Sequence, residues 1–452
     1  MFFTNIVDVP NYELYQKRRE NLVKVIKEKN SSIKKGKVLL FGNFDDENTN
    51  FRQESSFLYF TGIKQPSHAI SIDFDGSSTL YVPNSGWFSK DWLLNVIEPT
   101  EKNKKKYNVK NIEYFGEKFR DFYLAPYFKK DQVSNFLKTL IAHVKEGGKL
   151  FIINPDDESS YIGPRRFFGR IRKFASEIKD DQVKDISLAI SQIRRKKDVQ
   201  EIAKLSQAID ISILGHEAVV NSMGDGVYEY EVKAALEYVF NANNAYAGYP
   251  AIINSGKKAT YVHCEDNSSQ IHDGQLLLVD AGAKIDGYCA DITRTYPISG
   301  KFTKRQRELY EIVLAAQKYI ASIAKPGYCL TNKKNPKKSL RHLLMDFLKE
   351  KGGYDKYMPH GVGHHLGMDV HDVCSPLIPL KKGDLITIEP GIYIPEENIG
   401  IRIEDNYWVT DNGVVCLTEM LPKEPDDVEQ FIKDCKAGKS LFDENENWDD
   451  VD

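Results

Sequence analysis

Several things are scarce in this chain. Six cysteines (264, 289, 329, 374, 416 and 435) are scattered through 452 residues without a CxxC pair. That argues against a disulfide framework and for reduced thiols in a cytoplasmic protein. No apolar run approaches the roughly 20 residues of a membrane-spanning helix. A basic excess is missing too: 62 Lys+Arg face 65 Asp+Glu, a formal net charge of -3. Nucleic-acid and membrane-surface binders carry such an excess. The opening residues, Met1 to Asn5, have no basic flank and meet Asp8 early, unlike a signal peptide. There is no HExxH, which argues against a zincin, and no repeat of solenoid period.

Length and core-forming residues are plentiful. At 41% hydrophobic and 28% charged, the chain can bury sizeable cores and stay soluble. Its length is about three times a ~150-residue domain, so two domains are expected.

The first part alternates helix and strand. Glu13 to Lys29 reads as a charged helix, Lys37 to Phe41 as a buried strand, Ala69 to Val82 as a hairpin turning at Asp75-Gly76, and Leu150 to Ile153 as another strand. An α/β domain over residues 1–185 is expected. The basic run Ile193 to Asp198 reads as a solvated helix start leading into Val199, Ile202, Ile209 and Ile213. A second domain of helices and then strands spans 190–436. Residues 437–452 read as a disordered acidic tail.

The chemistry concentrates in the second domain. Leu276 to Val279 is an apolar run ending in Asp280. Asp286-Gly287 is a strong two-residue hairpin signal. If it forms the loop, Ile285 pairs with Tyr288, Asp280 lies opposite Thr293, and Asp291 lies opposite Gly282. Side chains alternate with period two, so Asp280 and Asp291 share a face as diagonal neighbours with Cα atoms ~7–8 Å apart. Two solvent-facing aspartates are the weaker reading, because Asp280 follows four apolar residues. Glu389 likewise ends the apolar run Leu385 to Ile388, and Glu404 lies with Arg402 on the face away from Ile401 and Ile403.

Four of the ten histidines fall between His360 and His371. Gly361 and Gly363 argue against a helix there, and His365 points away from its neighbour as an ordinary core histidine. Four carboxylates and an imidazole make an oxygen-rich site suited to two divalent ions, Mn²⁺ first, then Co²⁺, Fe²⁺ or Zn²⁺. Two such ions ~3.5–4 Å apart activate water and polarise a carbonyl.

Five segments in this order resemble the pita-bread metallopeptidases of the Xaa-Pro branch, aminopeptidase P and prolidase (family M24B). They are Val279 to Gly282, Ala290 to Thr295, His360 to His364, Glu389 to Gly391, and Arg402 to Asp405. Phe51 to Gly62, Val227 to Tyr230 and Gly300 to Thr303 extend the resemblance over most of the chain. It implies an aminopeptidase P-like N-terminal domain and an α+β pita-bread catalytic domain. It also implies Asp280, Asp291, His364, Glu389 and Glu404 as dimetal ligands, with Asp291 and Glu404 bridging. His263, His360 and His371 would contact substrate, Glu389 would shuttle a proton, and Arg402 and Tyr393 would hydrogen-bond around the ligands. Trp92 aligns with a tryptophan that reaches a partner subunit's site in relatives, so a homodimer or homotetramer is expected.

The implied activity is release of the N-terminal residue from peptides with proline second. The short connection from Glu389 to Glu404 favours this over a prolidase, the nearest alternative. A non-catalytic binding module on the same fold would have lost ligands, and none is lost. A nucleic-acid binder using Lys102, Lys104, Lys105 and Lys106 is opposed by the neutral charge balance. No membrane partner is expected.

Overall fold

The computed structural model describes residues 12–44, 51–84, 86, 96–117, 129–154 and 162–443. They form two compact units, one within residues 5–193 and one within 194–452. Trp92 lies outside the described residues.

The N-terminal unit is built on a six-stranded mixed sheet. Its strands are β1 (Gly36–Phe41), β2 (Ala69–Asp73), β3 (Ser78–Val82), β4 (Asn111–Tyr114), β5 (Lys149–Ile152) and β6 (Val183–Asp185). Their order is β4-β3-β2-β1-β5-β6. The expected hairpin is β2–β3, pairing Ile70 with Leu80 and Ser71 with Thr79. Phe41, Tyr81, Phe115, Phe136 and Phe167 fill one side of the sheet. The helix Tyr12–Lys29 contributes a buried arginine, Arg19, which donates to the carbonyls of Phe60 (2.9 Å) and Asn108 (2.7 Å).

The C-terminal unit surrounds its core with the helices Val199–Ser222, Glu229–Ala242, Lys304–Ile323, Leu340–Glu350 and Pro425–Lys436. Strands β7 (Tyr246–Ala247), β8 (Ile252–Ser255), β9 (Leu276–Ala281), β10 (Ala283–Ile285), β11 (Tyr288–Cys289) and β12 (Ile292–Pro297) come first. Then follow β13 (Leu385–Ile388), β14 (Gly391–Ile394), β15 (Ile399–Arg402), β16 (Asp405–Val409) and β17 (Val414–Cys416). They form small sheets, β11-β10-β7, β12-β9-β8, β13-β16-β17 and β14-β15. Among the described residues, no helix is long and apolar enough to cross a membrane.

Two expectations are corrected here. The basic run at 193–198 is not a solvated helix start. Arg194, Arg195 and Lys197 are buried, and the helix begins after the capping residue Asp198. Arg194 donates to Asp369 (2.9 Å) and Asp372 (2.6 Å), Lys197 to Asp372 (2.9 Å), and Arg195 to Asp384 (2.7 Å). Burying these cations is tolerable only because each meets a buried acid. The start of the tail is also anchored: Ser440 Oγ (2.9 Å) and the Leu441 amide (2.6 Å) both donate to Glu217. Residues 444–452 lie outside the described residues.

Candidate active site

Asp286-Gly287 closes the hairpin as its residue types require. Both have positive φ (50° and 89°), which a type I′ turn demands. The register is the expected one: Ile285 pairs with Tyr288, and Asp280 with Thr293. Asp280 ends up near the tip of β9 and Asp291 one residue before β12. The Tyr249 hydroxyl touches both, at 2.6 Å from Asp280 Oδ1 and 2.5 Å from Asp291 Oδ1. One phenol proton serves one carboxylate, so the other contact calls for a further proton or cation.

His364 is brought to this pair by the glycine before it. A Cβ on Gly363 would sit 2.0 Å from the Thr387 carbonyl oxygen, so only glycine lets the loop lie against β13. His364 Nδ1 donates to the His365 carbonyl (3.1 Å), which turns Nε2 toward the acids. That nitrogen lies 3.2 Å from Asp291 Oδ2, 3.7 Å from Glu389 Oε1 and 4.0 Å from Glu404 Oε1. Ligand atoms of Asp291, His364 and Glu404 all fall within 4.8 Å of one another. Glu389 adjoins this group through His364, and Asp280 through the shared Tyr249 hydroxyl.

The cluster is short of positive charge. Burial, then Asp291, Glu389 and Asp280, push Glu404 well above the carboxylate range. Burial raises Asp291, with Asp280 adding to it against the pull of His364. Burial raises Glu389 to about 7. His364 is pushed up to about 9 because Asp291 and Glu389 outweigh its burial. Glu404 Oε1 is buried and has no hydrogen-bond partner among the described residues. Buried carboxylates with a facing imidazole and a spare lone pair fit hard divalent cations, whose charge would reverse these shifts.

Around the acids runs a hydrogen-bonded chain. Arg402, buried, donates from Nη2 to Asp280 Oδ2 (2.6 Å), from Nη1 to the Tyr393 hydroxyl (2.8 Å) and from Nε to Thr293 Oγ1 (3.1 Å). The Tyr393 hydroxyl lies 2.9 Å from His360 Nε2, and Thr293 Oγ1 donates to Glu404 Oε2 at 2.7 Å. Burial and then Arg402 push His360 down to about 3, so its ring is neutral. His371 stacks edge-on to His364, with ring centroids 4.4 Å apart, and lies at the surface. Lost hydration, then His364 and His263, push it down to about 4. His263 is exposed and close enough to lower both His360 and His371. His365 is buried, as expected of a core histidine.

Residues 203–411 match the model of metallopeptidase family M24, and residues 15–132 match the aminopeptidase P N-terminal domain. A Xaa-Pro aminopeptidase of Haemophilus influenzae is 31% identical over 87% of this chain and 93% of its own length. The chain belongs to metallopeptidase family M24. A Xaa-Pro dipeptidase of Pyrococcus furiosus is 32% identical over 65% of this chain and 83% of its own length. The solved proline aminopeptidase P II of Yersinia pestis superposes with a TM-score of 0.75 at 25% identity. That match covers 94% of this chain and 100% of the other. The two-domain architecture, aminopeptidase P-like unit followed by pita-bread catalytic unit, is therefore that of the M24 aminopeptidases.

Sequence reasoning missed four residues at this M24 site. Tyr249 sits in a loop without periodic pattern. Thr293 and Thr387 look like ordinary strand residues, yet Thr387 Oγ1 lies 3.4 Å from Glu389 and accepts from the His364 amide at 3.1 Å. Asn406 brackets Asp291, donating from its amide to the Asp291 carbonyl. Thr293 could have been flagged from the predicted register, which sets it opposite Asp280.

Proposed function

We propose that this M24 metallopeptidase is a Xaa-Pro aminopeptidase, releasing the first residue from peptides whose second residue is proline. The observation that supports the reading is the grouping of Asp291, His364 and Glu404, with Glu389 beside His364 and Asp280 sharing the Tyr249 hydroxyl, next to His360, His371 and His263. These five would hold two divalent ions, Mn²⁺ being our first choice. When bound, such ions polarise the scissile carbonyl and activate a water.

The chain's own groups do the rest. Glu389 would take a proton from the attacking water and pass it to the departing proline nitrogen. Arg402 fixes Asp280 and orients Tyr393, which in turn aligns His360. His360, His371 and His263 offer imidazoles to the carbonyls of the bound peptide. Proline at the second position has no N–H, so the site need not satisfy one there.

The Pyrococcus relative keeps the dipeptidase reading open. A dipeptidase needs a cation to close on the carboxylate after proline. The turn joining β14 to β15 is only Pro395 to Asn398, which leaves no insertion to build such a cap from. We further propose a cytoplasmic homodimer or homotetramer. Initial rates of the Mn²⁺-loaded protein on Gly-Pro, a Xaa-Pro-Xaa tripeptide and a longer peptide test the reading. Cleavage of the longer peptides at least as fast as the dipeptide is expected. Turnover confined to Gly-Pro makes it a dipeptidase, and failure on all three refutes both.

A further inference from the structure

Gln317 lies on the buried face of the helix Lys304–Ile323 and is fully buried. It touches no ligand. Its side-chain nitrogen donates both hydrogens to main-chain carbonyls, that of Ile388 (3.1 Å) and that of Ile403 (3.1 Å). These residues immediately precede Glu389 and Glu404. Ile388 is the last residue of β13, and Ile403 lies just after β15 and before β16, the strand that pairs with β13. Among the described residues, Gln317 is the one side chain bonded to both peptides.

The opposite ends of the same peptides are fixed as well. The Glu389 amide donates to the Val362 carbonyl (3.0 Å), and the Glu404 amide to the Thr293 carbonyl (3.1 Å). A peptide group is planar, so holding both its C=O and its N–H fixes its plane. The direction of the following Cα–Cβ bond is then narrowed too. Val362 and Thr293 each secure one glutamate to a different neighbour, the histidine loop and the aspartate hairpin. The two glutamate segments also meet through main chain, by the Ile388–Asp405 pair of β13 and β16 and the Ile403 amide on the Pro390 carbonyl (3.3 Å), and Gln317 adds the side-chain clamp across them.

The arrangement carries a cost beside the two hydrogen bonds it makes. Gln317 Oε1 is buried without a hydrogen-bond partner among the described residues. Such an orphan is destabilising, and an apolar residue of the same shape would avoid it. A primary amide is nevertheless the side chain that suits this place. It supplies two donors on one atom and no charge, whereas a lysine or arginine would add a buried cation and a glutamate would set oxygens against carbonyls. Local rules broken in a core point to a site where function sets the requirement.

We propose that Gln317 is a positioning residue of the metal centre, fixing the separation and aim of Glu389 and Glu404 so that both reach the same pair of ions. The inference rests on the ligand assignment above but not on the substrate. Loss of outer hydrogen bonds of this kind costs about 10–100-fold in metal affinity.

Metal-stripped full-length wild type, Gln317→Met and Gln317→Glu are titrated with Mn²⁺ by calorimetry and by electron paramagnetic resonance. Their stabilities without metal are compared by urea unfolding. Met keeps the volume and removes both the donors and the orphan oxygen. The expected result is that wild type binds two spin-coupled ions and Gln317→Met binds them about 10–100-fold more weakly with an altered coupled spectrum. Its metal-free stability should fall, because removing the orphan oxygen also leaves the Ile388 and Ile403 carbonyls without their side-chain donor. Gln317→Glu retains at most one donor and covers the case in which the Met variant does not fold; its affinity should also fall. Wild-type affinity and spectrum in a folded variant overturn the proposal, as does a loss of metal-free stability with unchanged Mn²⁺ binding. A wild type that binds no Mn²⁺ overturns the ligand assignment as well, whereas failure of Xaa-Pro cleavage alone leaves this result standing.

Discussion

The catalytic unit buries two sets of acids. Asp372, Asp384 and Asp405 each face cations of the same chain. Asp372 meets Arg194 and Lys197, Asp384 meets Arg195, and Asp405 meets Arg294 (2.7 Å) and Lys423 (2.8 Å). Against the effect of burial, those cations hold Asp372 and Asp405 below the ordinary carboxylate range. Asp291, Glu389 and Glu404 are pushed the other way. Glu404 and Asp405 are adjacent, and strand alternation sends their side chains to opposite environments. Structural acids here bring their counter-ions in the sequence, whereas the site's acids lack enough of them and are left to find cations in solution.

The largest expected effect breaks the second set. Asp291→Asn removes a proposed ligand, and turnover should fall by more than the ~100-fold typical of losing an outer partner. The metal-free fold should survive undiminished, because a like charge has been removed from a crowded cluster. Full turnover with full metal content would show that Asp291 is not a ligand.

Breaking the first set should do the reverse. Arg195→Met leaves Asp384 buried without its arginine and should cost about 3–5 kcal/mol in urea unfolding, with Mn²⁺ affinity of the folded protein retained. Wild-type stability would place that pair among the dispensable ones. His360→Ala sharpens the contrast within the site. It removes a neighbour of the acids that is not itself proposed as a ligand, so turnover should drop about 10²-fold while both ions stay bound. Metal analysis showing ions lost would move His360 into the ligand set.

The smallest effect is in the pH dependence of stability. Asp372 and Asp405 have depressed values, so their contribution is present above pH ~4 and is lost as pH falls below it. Glu389, raised to about 7, has the opposite sign in the metal-free chain. Its contribution is present below the ordinary glutamate range and is lost as pH rises through about 7. The neutral histidines, His360 and His371 among them, contribute a gain as pH rises toward 6.5, so the Glu389 contribution is read as a difference: metal-free protein should gain less stability between pH 5 and 8 than protein saturated with Mn²⁺. Urea midpoints across this range, with and without Mn²⁺, check both signs.

The candidate ligands were legible because Asp280 and Glu389 end apolar runs, and because Asp286-Gly287 fixes a register in which one slip would flip every side chain. The basic run at 193–198 was misread because its partners are remote. Arg194 and Asp369 are 175 positions apart, and a local cluster of charge looks solvated until the fold supplies its acids. Tyr249 escaped notice because a loop residue carries no periodic signal. Gln317 escaped because a polar residue on an apolar helix face reads as an exception until the carbonyls beneath it are seen.

The central claim is that the cluster short of counter-charge, and not the acids matched by their own cations, takes up metal. It is tested most directly by anomalous diffraction at the manganese edge from crystals of the Mn²⁺-soaked protein. Two peaks are predicted, both among Asp280, Asp291, His364, Glu389 and Glu404. No peak there, or peaks only beside Asp372, Asp384 or Asp405, would contradict it.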